Sequence, residues 1–313
     1  MKVLVTGASG FCGSHLISRL QREPGVEIAG LDRGAVSTSP SSPAQYFQAD
    51  MCDRAAVESI VEAFAPDCVY HLAGASATSS ASDSMYEVNV AGTVYLLEAL
   101  VRRAPRCKVL LAGSAAEYGP VVPECLPVTE TTPCRPIGAY GISKYAATLI
   151  GIDHFSKYGL KVVIARPSNI IGPGVPKTLV VGALLDRAQK ALAFSDPEVK
   201  VGDSDSERDF VDVRDVVDAY IRLIQAGQWG QIFNISSGQP RSIGYIAEAL
   251  LANSSRPIRI VYDSSFVPHS SIKKFYCSYE KADRAFGYQP SVKLEETLKA
   301  CWLHEIGSGV ACA

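Results

Sequence analysis

Seven residues near the start of the chain restrict its fold more than any other feature: Gly7-Ala8-Ser9-Gly10-Phe11-Cys12-Gly13. They follow a short apolar run, Val3-Leu4-Val5. They lead into Phe11 to Arg22, where Phe11, Leu16, Ile17 and Leu20 recur at helical spacing. A strand that enters a glycine turn and leaves as a helix offers free backbone N–H groups and a positive dipole end to an anion. Gly7 and Gly10 allow close approach of a pyrophosphate, and Gly13 allows close packing of helix on sheet. In this strand–turn–helix setting the pattern predicts a dinucleotide site.

The rhythm continues beyond the turn. Ile28-Ala29-Gly30-Leu31 reads as a second strand ending at Asp32, and the Ser- and Pro-rich stretch from Gly34 to Pro43 as a loop. Then come a helix over Arg54–Phe64, a strand over Cys68–Leu72, a helix over Ser84–Arg102 and a strand over Lys108–Ala112. A Pro-rich loop from Gly119 to Gly138 precedes a helix over Tyr140–Tyr158 and a strand over Lys161–Ala165. Such alternation predicts an α/β fold, a doubly wound parallel sheet of the Rossmann type. After Arg166-Pro167 the rhythm loosens, with helices expected over Leu179–Leu192, Val213–Gln225 and Ile243–Leu251. The expected division is a dinucleotide-binding domain over 1–168, to which 210–236 returns. Residues 169–209 and 237–313 form a smaller substrate-binding region over the carboxyl edge of the sheet.

Thirty basic against 32 acidic residues, mixed along the chain, argue against a partner such as nucleic acid or an anionic membrane surface. Nine cysteines contain no CxxC pair, and an odd number cannot all pair internally, so reduced thiols in a cytoplasmic protein are expected. Five scattered histidines show no metal-ligand spacing, and no metal is expected. Neither a signal-peptide segment nor a run approaching the ~20 apolar residues of a membrane span is seen.

Asp32 stands where a carboxylate would hold the adenosine ribose hydroxyls. A carboxylate there repels a 2′-phosphate and favours NAD(H). Arg33 follows and could receive that phosphate, which keeps NADP(H) as the alternative. Asp32 could also be a plain strand-end turn residue. Asp50, just before the helix over Arg54–Phe64, could accept from an adenine amino group or act as a helix N-cap. Tyr140-Gly-Ile-Ser-Lys144 puts a phenol and an ammonium one helical turn apart on one face. A nearby ammonium favours the phenolate, so Lys144 is expected to pull the Tyr140 pKa toward the working range. Ser114 follows the strand Lys108–Ala112, at the edge where ligands bind in such sheets.

Several segments together resemble the extended short-chain dehydrogenases/reductases that modify sugar nucleotides. They are Thr6–Gly13, Asp50, His71-Leu72-Ala73, Asn89-Val90-Ala91-Gly92-Thr93, Gly113–Gly119, Tyr140–Lys144 and Arg166-Pro167-Ser168-Asn169. Arg208–Tyr220 and Phe233–Gly238 extend the likeness over nearly the whole chain. Within that family the pattern is most similar to the GDP-4-keto-6-deoxymannose reductases. The resemblance implies Ser114, Tyr140 and Lys144 as catalytic. It implies Gly7, Gly10, Phe11, Cys12, Gly13, Asp32, Arg33, Asp50, Met51, Leu72, Ala73, Tyr140, Lys144 and Pro167 at the cofactor. It implies Ser76, Ser114, Ala115, Ala116, Asn169 and Arg208 at the substrate, with Asn169 and Arg208 on its diphosphate. A salt bridge from Arg208 to Asp209 or Asp212 is the competing reading.

The chain departs from the family at two places. Dehydratases carry an acidic pair just after the catalytic hydroxyl, where this chain has Ala115 and Ala116. Alanine cannot titrate, so 4,6-dehydration is disfavoured. Before Pro268 the reductases place a phosphate-binding arginine; here Val267 stands there, with Lys273 and Lys274 following as possible replacements. The expected activity is NAD(P)H-dependent reduction of a 4-keto sugar nucleotide, with sugar-nucleotide 4-epimerisation as the alternative. A nicotinamide-binding regulator without chemistry is expected to have lost Tyr140 or Lys144, and both remain. In relatives the helices over Ser84–Arg102 and Tyr140–Tyr158 form a homodimer's four-helix bundle, and a homodimer is expected.

Overall fold

Val3, Leu4 and Val5 are wholly buried in β1 (Lys2–Thr6), and their side chains alternate between the two faces of a sheet. Val3 and Val5 pack with Leu16, Ile17 and Leu20 of α1 (Phe11–Leu20) and with Val216 and Tyr220 of α7 (Val213–Ala226). Leu4 packs on the other face with Val57 and Val61 of α2 (Arg54–Phe64) and Leu96 and Leu100 of α4 (Gly92–Arg103). Each such side chain contributes about 1.5–3 kcal/mol by leaving water, so a strand apolar on both faces requires helices on both.

The computed structural model describes residues 1–34, 43–75, 82–263 and 272–307. Seven parallel strands form the central sheet. They are β1, β2 (Glu27–Asp32), β3 (Gln45–Gln48), β4 (Cys68–His71), β5 (Lys108–Ala112), β6 (Lys161–Pro167) and β10 (Ile232–Ile235), in the order β10-β6-β5-β4-β1-β2-β3. The order reverses between β1 and β4, the crevice where doubly wound sheets bind ligands. α5 (Gly138–Tyr158) packs beside α4 on one face, and α1 and α7 cover the other.

The expected helix over Ser84–Arg102 is in fact α3 (Ser82–Tyr86), a π-helical turn over Glu87–Ala91, and α4. Asn89 lies within the widened turn and directs its amide at Ala75 and Ser143. The connections expected to be irregular after Pro167 carry short strands. β7 (Asn169–Ile171), β9 (Glu207–Asp212), β11 (Pro240–Ser242) and β13 (Lys274–Phe275) make one small sheet. β8 (Glu198–Val201) pairs with β12 (Arg259–Tyr262) in another. With α6 (Val180–Ala191), α8 (Ile243–Leu251) and α10 (Leu294–Glu305) they enclose a separate apolar core that includes Leu184, Ile246 and Trp302. α9 (Glu280–Phe286) completes the helices. Among the described residues no helix is long and apolar enough to cross a membrane.

Candidate active site

The glycine turn lies against the end of β4. Gly7 has φ +70°, and a Cβ there would come within 2.7 Å of Ala73 N, so Gly7, Leu72 and Ala73 meet at one point. A Cβ on Gly13 would fall 2.1 Å from the Gly7 carbonyl oxygen. Gly13 is therefore needed for packing on the turn itself, rather than on the sheet as its position suggests. Gly10 stands just before α1, and no side chain caps the first N–H groups of the helix. This shallow, uncapped cradle fits a dinucleotide pyrophosphate.

Asp32 ends β2 with its carboxylate on the turn, accepting from Ser9 N–H at 3.0 Å and Ser9 Oγ at 2.7 Å. The neighbouring Arg33 is exposed. Asp50 accepts from Cys52 N–H at 2.8 Å, and the cap of α2 is Asp53, not Asp50. Met51 is buried, and Gly92 approaches it so closely that a Cβ would lie 3.0 Å from the Met51 Cβ. Ser76 lies outside the described residues.

One cavity of about 680 Å³ opens at the carboxyl ends of β1, β5 and β6, a size suited to a small-molecule ligand. Phe11, Cys12, Ser114, Ala115, Ala116, Tyr140, Pro167, Asn169 and Arg208 all line it. Lys144, one turn further along α5, is buried, with its Nζ near Gly74. Residues far apart in the chain thus converge because three strand ends and the first turn of α5 share one edge of the sheet. Val267 lies outside the described residues. Neither Lys273 nor Lys274 lines the cavity: Lys273 lies 3.9 Å from Asp203, a lining residue, and Lys274 2.7 Å from Glu207. Arg208 donates to the Glu207 carbonyl at 2.9 Å and the Ile272 carbonyl at 2.8 Å. Asp212 pairs instead with Arg214, and Asp209 accepts from Ser237 and Gly238.

Ser114 caps a short 3₁₀ turn, Ala115–Tyr118, its Oγ accepting from Ala116 N–H at 3.1 Å. A hydroxyl has one hydrogen and two lone pairs, so this bond leaves its hydrogen available. Burial lifts the Tyr140 phenol above its ordinary range, opposed by the Ser114 hydroxyl beside it and reinforced by Glu117 and Cys12. Burial likewise lowers the Lys144 ammonium, opposed by Glu117 and Cys12. The expectation that Lys144 pulls the phenol down is therefore overturned for the chain by itself. Desolvation is the larger effect on both groups.

The geometry also shows support residues that the sequence reading passed over. Asn89 Nδ2 donates to Ser143 Oγ at 2.9 Å, and Ser143 Oγ to the Tyr140 carbonyl at 2.9 Å, which fixes the first turn of α5. Glu117 accepts from Ser114 N–H at 2.8 Å and from Arg166 Nε at 2.7 Å. The spacing Ser-x-x-Glu before a helical turn was the signal that could have found it. Arg187 also lines the cavity and carried no signal.

The family described as "NAD dependent epimerase/dehydratase family" matches residues 3–236. GDP-6-deoxy-D-mannose reductase of Pseudomonas aeruginosa is 29% identical over 307 residues, covering 96% of this chain and 95% of that protein. The structure of RMD from Pseudomonas aeruginosa complexed with NADPH superposes with a TM-score of 0.83 at 29% identity, covering 96% of this chain and 97% of that one. The UDP-glucose 4-epimerase of Thermus thermophilus in complex with NAD superposes with a TM-score of 0.85 at 27% identity, covering 99% of this chain and 100% of that one. With the sheet order and the glycine turn, the match over residues 3–236 settles the family: the chain belongs to the NAD dependent epimerase/dehydratase family and is an enzyme of the extended short-chain dehydrogenase/reductase type.

Proposed function

We propose that the chain reduces the keto carbon of a 4-keto sugar nucleotide, as a GDP-4-keto-6-deoxymannose reductase does. The observation that carries this reading is the cavity wall on which Ser114 and Tyr140 stand together while Ala115 and Ala116 flank them. A nicotinamide dinucleotide held at Gly7, Gly10 and Gly13 would supply the hydride. Tyr140 gives its proton to the carbonyl oxygen. A phenol whose pKa burial has raised is fully protonated at neutral pH, the form a general acid requires. Ser114 donates its available hydrogen to the same oxygen and orients it. Lys144 stabilises the phenolate left behind. The alanines cannot abstract a proton from the sugar, so dehydration does not compete. Arg208, with Asn169, would hold the diphosphate, since a guanidinium matches a phosphate bidentately.

The Asp32 carboxylate at the turn favours NAD(H), and the NADPH bound by the Pseudomonas relative supports NADP(H) as the alternative. The same carboxylate and the NAD-bound epimerase likeness favour a second reading, sugar-nucleotide 4-epimerisation with the same Ser114, Tyr140 and Lys144. One experiment separates them. Purified protein mixed with a GDP-4-keto-6-deoxyhexose and NADH or NADPH should consume the reduced cofactor in step with the ketone. Epimer interconversion with no added reductant and no cofactor consumption would overturn the reductase reading.

The partition into a dinucleotide-binding domain (1–168 with 210–236) and a substrate-binding region (169–209 and 237–313) belongs to this proposal. So does a homodimer in the cytoplasm. Ile142 and Leu149, seven residues apart on α5 and 42% and 49% exposed, form an apolar stripe suited to a second copy.

A further inference from the structure

Glu117 carries a charge in a place that is costly to charge. It is 0% exposed, and its partner Arg166 is 1% exposed. The Arg166 guanidinium stacks over the Tyr118 ring, 4.8 Å from its centroid. One Glu117 oxygen accepts from Ser114 N–H at 2.8 Å and the other from Arg166 Nε at 2.7 Å. A donor on each oxygen is the pattern of an ionised carboxylate. The carboxylate also presses on Gly113, where a Cβ would meet Glu117 Oε1 at 2.5 Å.

Stability does not explain such a pair. Apolar residues of the same volume are commonly as good or better in a core, whereas removing one member leaves an uncompensated charge. Position explains it better. The pair ties Ser114, two residues past β5, to β6, so the backbone of Ser114 is fixed from two neighbouring strands at once. The charge also reaches the other two members of the site, since both Tyr140 and Lys144 feel it. The other titratable groups facing them are Cys12 from α1, His71 from β4 and Tyr220 from α7. Burial keeps all three uncharged near neutral pH, with the Cys12 thiol pushed up to about 12 and the His71 imidazole down to about 3.

We propose that Glu117 is a positioning residue: clamped by Arg166, it fixes the Ser114 backbone and so holds the Ser114 hydroxyl on the substrate carbonyl. The proposal rests on Ser114, Tyr140 and Lys144 being the catalytic groups. The test uses two variants, Glu117→Gln and the double variant Glu117→Gln with Arg166→Met. The second removes the orphaned guanidinium that could unfold the first. Turnover of the keto sugar with NAD(P)H is measured against substrate concentration and pH, beside thermal unfolding. In both variants kcat should fall roughly tenfold to a hundredfold, the scale of a displaced catalytic group, with KM nearly unchanged. In Glu117→Gln the alkaline limb of kcat should move to lower pH, because the phenol loses a neighbouring negative charge, and the move should be smaller in the double variant, which loses the guanidinium's positive charge as well. A folded variant with the parent kcat and pH profile overturns the proposal. So does failure of both variants to fold, since the pair would then serve stability alone. Tyr140→Phe is the control. If it keeps turnover, the catalytic reading itself fails; if it is inactive while Glu117→Gln is unchanged, only the role of Glu117 is lost.

Discussion

His71 is a buried base with its proton assigned by its neighbours. Thr93 gives its hydrogen to the Asn89 carbonyl at 2.7 Å, so it must accept from His71 Nε2–H at 3.0 Å. Thr6 accepts from Ala73 N–H at 3.2 Å and gives its own hydrogen to His71 Nδ1 at 2.7 Å. Both ring nitrogens are satisfied in the neutral form, and burial, reinforced by Lys144, drops its pKa from 6.5 to about 3. The unfolded chain therefore binds a proton below 6.5 that the folded chain refuses until about 3. Stability should fall as pH falls through that window, by at most about 1.4 kcal/mol per pH unit from this group. Thermal unfolding of the parent and of His71→Gln, followed across the window, should show the shallower dependence in the variant. Tyr140 makes a sharper claim. Tyr140→Phe should lower kcat by roughly 10²–10⁴-fold while dinucleotide binding, measured by calorimetry, persists. Tyr140 and Lys144 were legible because their four-residue spacing fixes them on one helical face. The direction of the phenol's pKa was not, because it depends on burial and on Ser114, Glu117 and Cys12, all distant in sequence.

At the scale of elements the glycine turn is the most constrained piece. Gly13→Ala places a methyl 2.1 Å from the Gly7 carbonyl and must spread the turn. Overpacking of this kind costs about 1–3 kcal/mol, so the variant should melt several degrees lower and bind NAD(H) at least about tenfold more weakly by titration. Unaltered affinity would remove the turn from the cofactor site. The turn, β1 and α1 were readable since all their cues are local. The π turn at Asn89 was not, because one extra residue in a helix barely disturbs an apolar period. Strands such as β13, two residues long, fall below the length at which alternation can be recognised. Asp50 and Asp53 show the same limit, as either could cap α2 on sequence alone and local backbone geometry chose Asp53.

For the whole molecule, the doubly wound parallel sheet followed from strand–helix alternation and right-handed crossovers, and the two small sheets did not, since their partners lie up to about seventy residues apart, as β9 and β13 do. Assembly is tested at this scale too. Leu149→Asp, on an exposed stripe of α5, should sediment as a monomer if two copies meet there and should leave the single chain folded. The return of β10 to the sheet has a different consequence. Its backbone pairs with β6 from Ile232↔Ile164 to Ile235↔Pro167, and α7 before it buries against β1. The polypeptide leaves the central sheet after β6 and returns to it at β10, so no single cut removes the small sheets and spares the large one. A fragment ending near Pro167 would bare the β6 backbone from Ile164 to Pro167 and strip away the α7 part of the core that includes Val3, Val5 and Leu16, a ragged edge ready to recruit other chains.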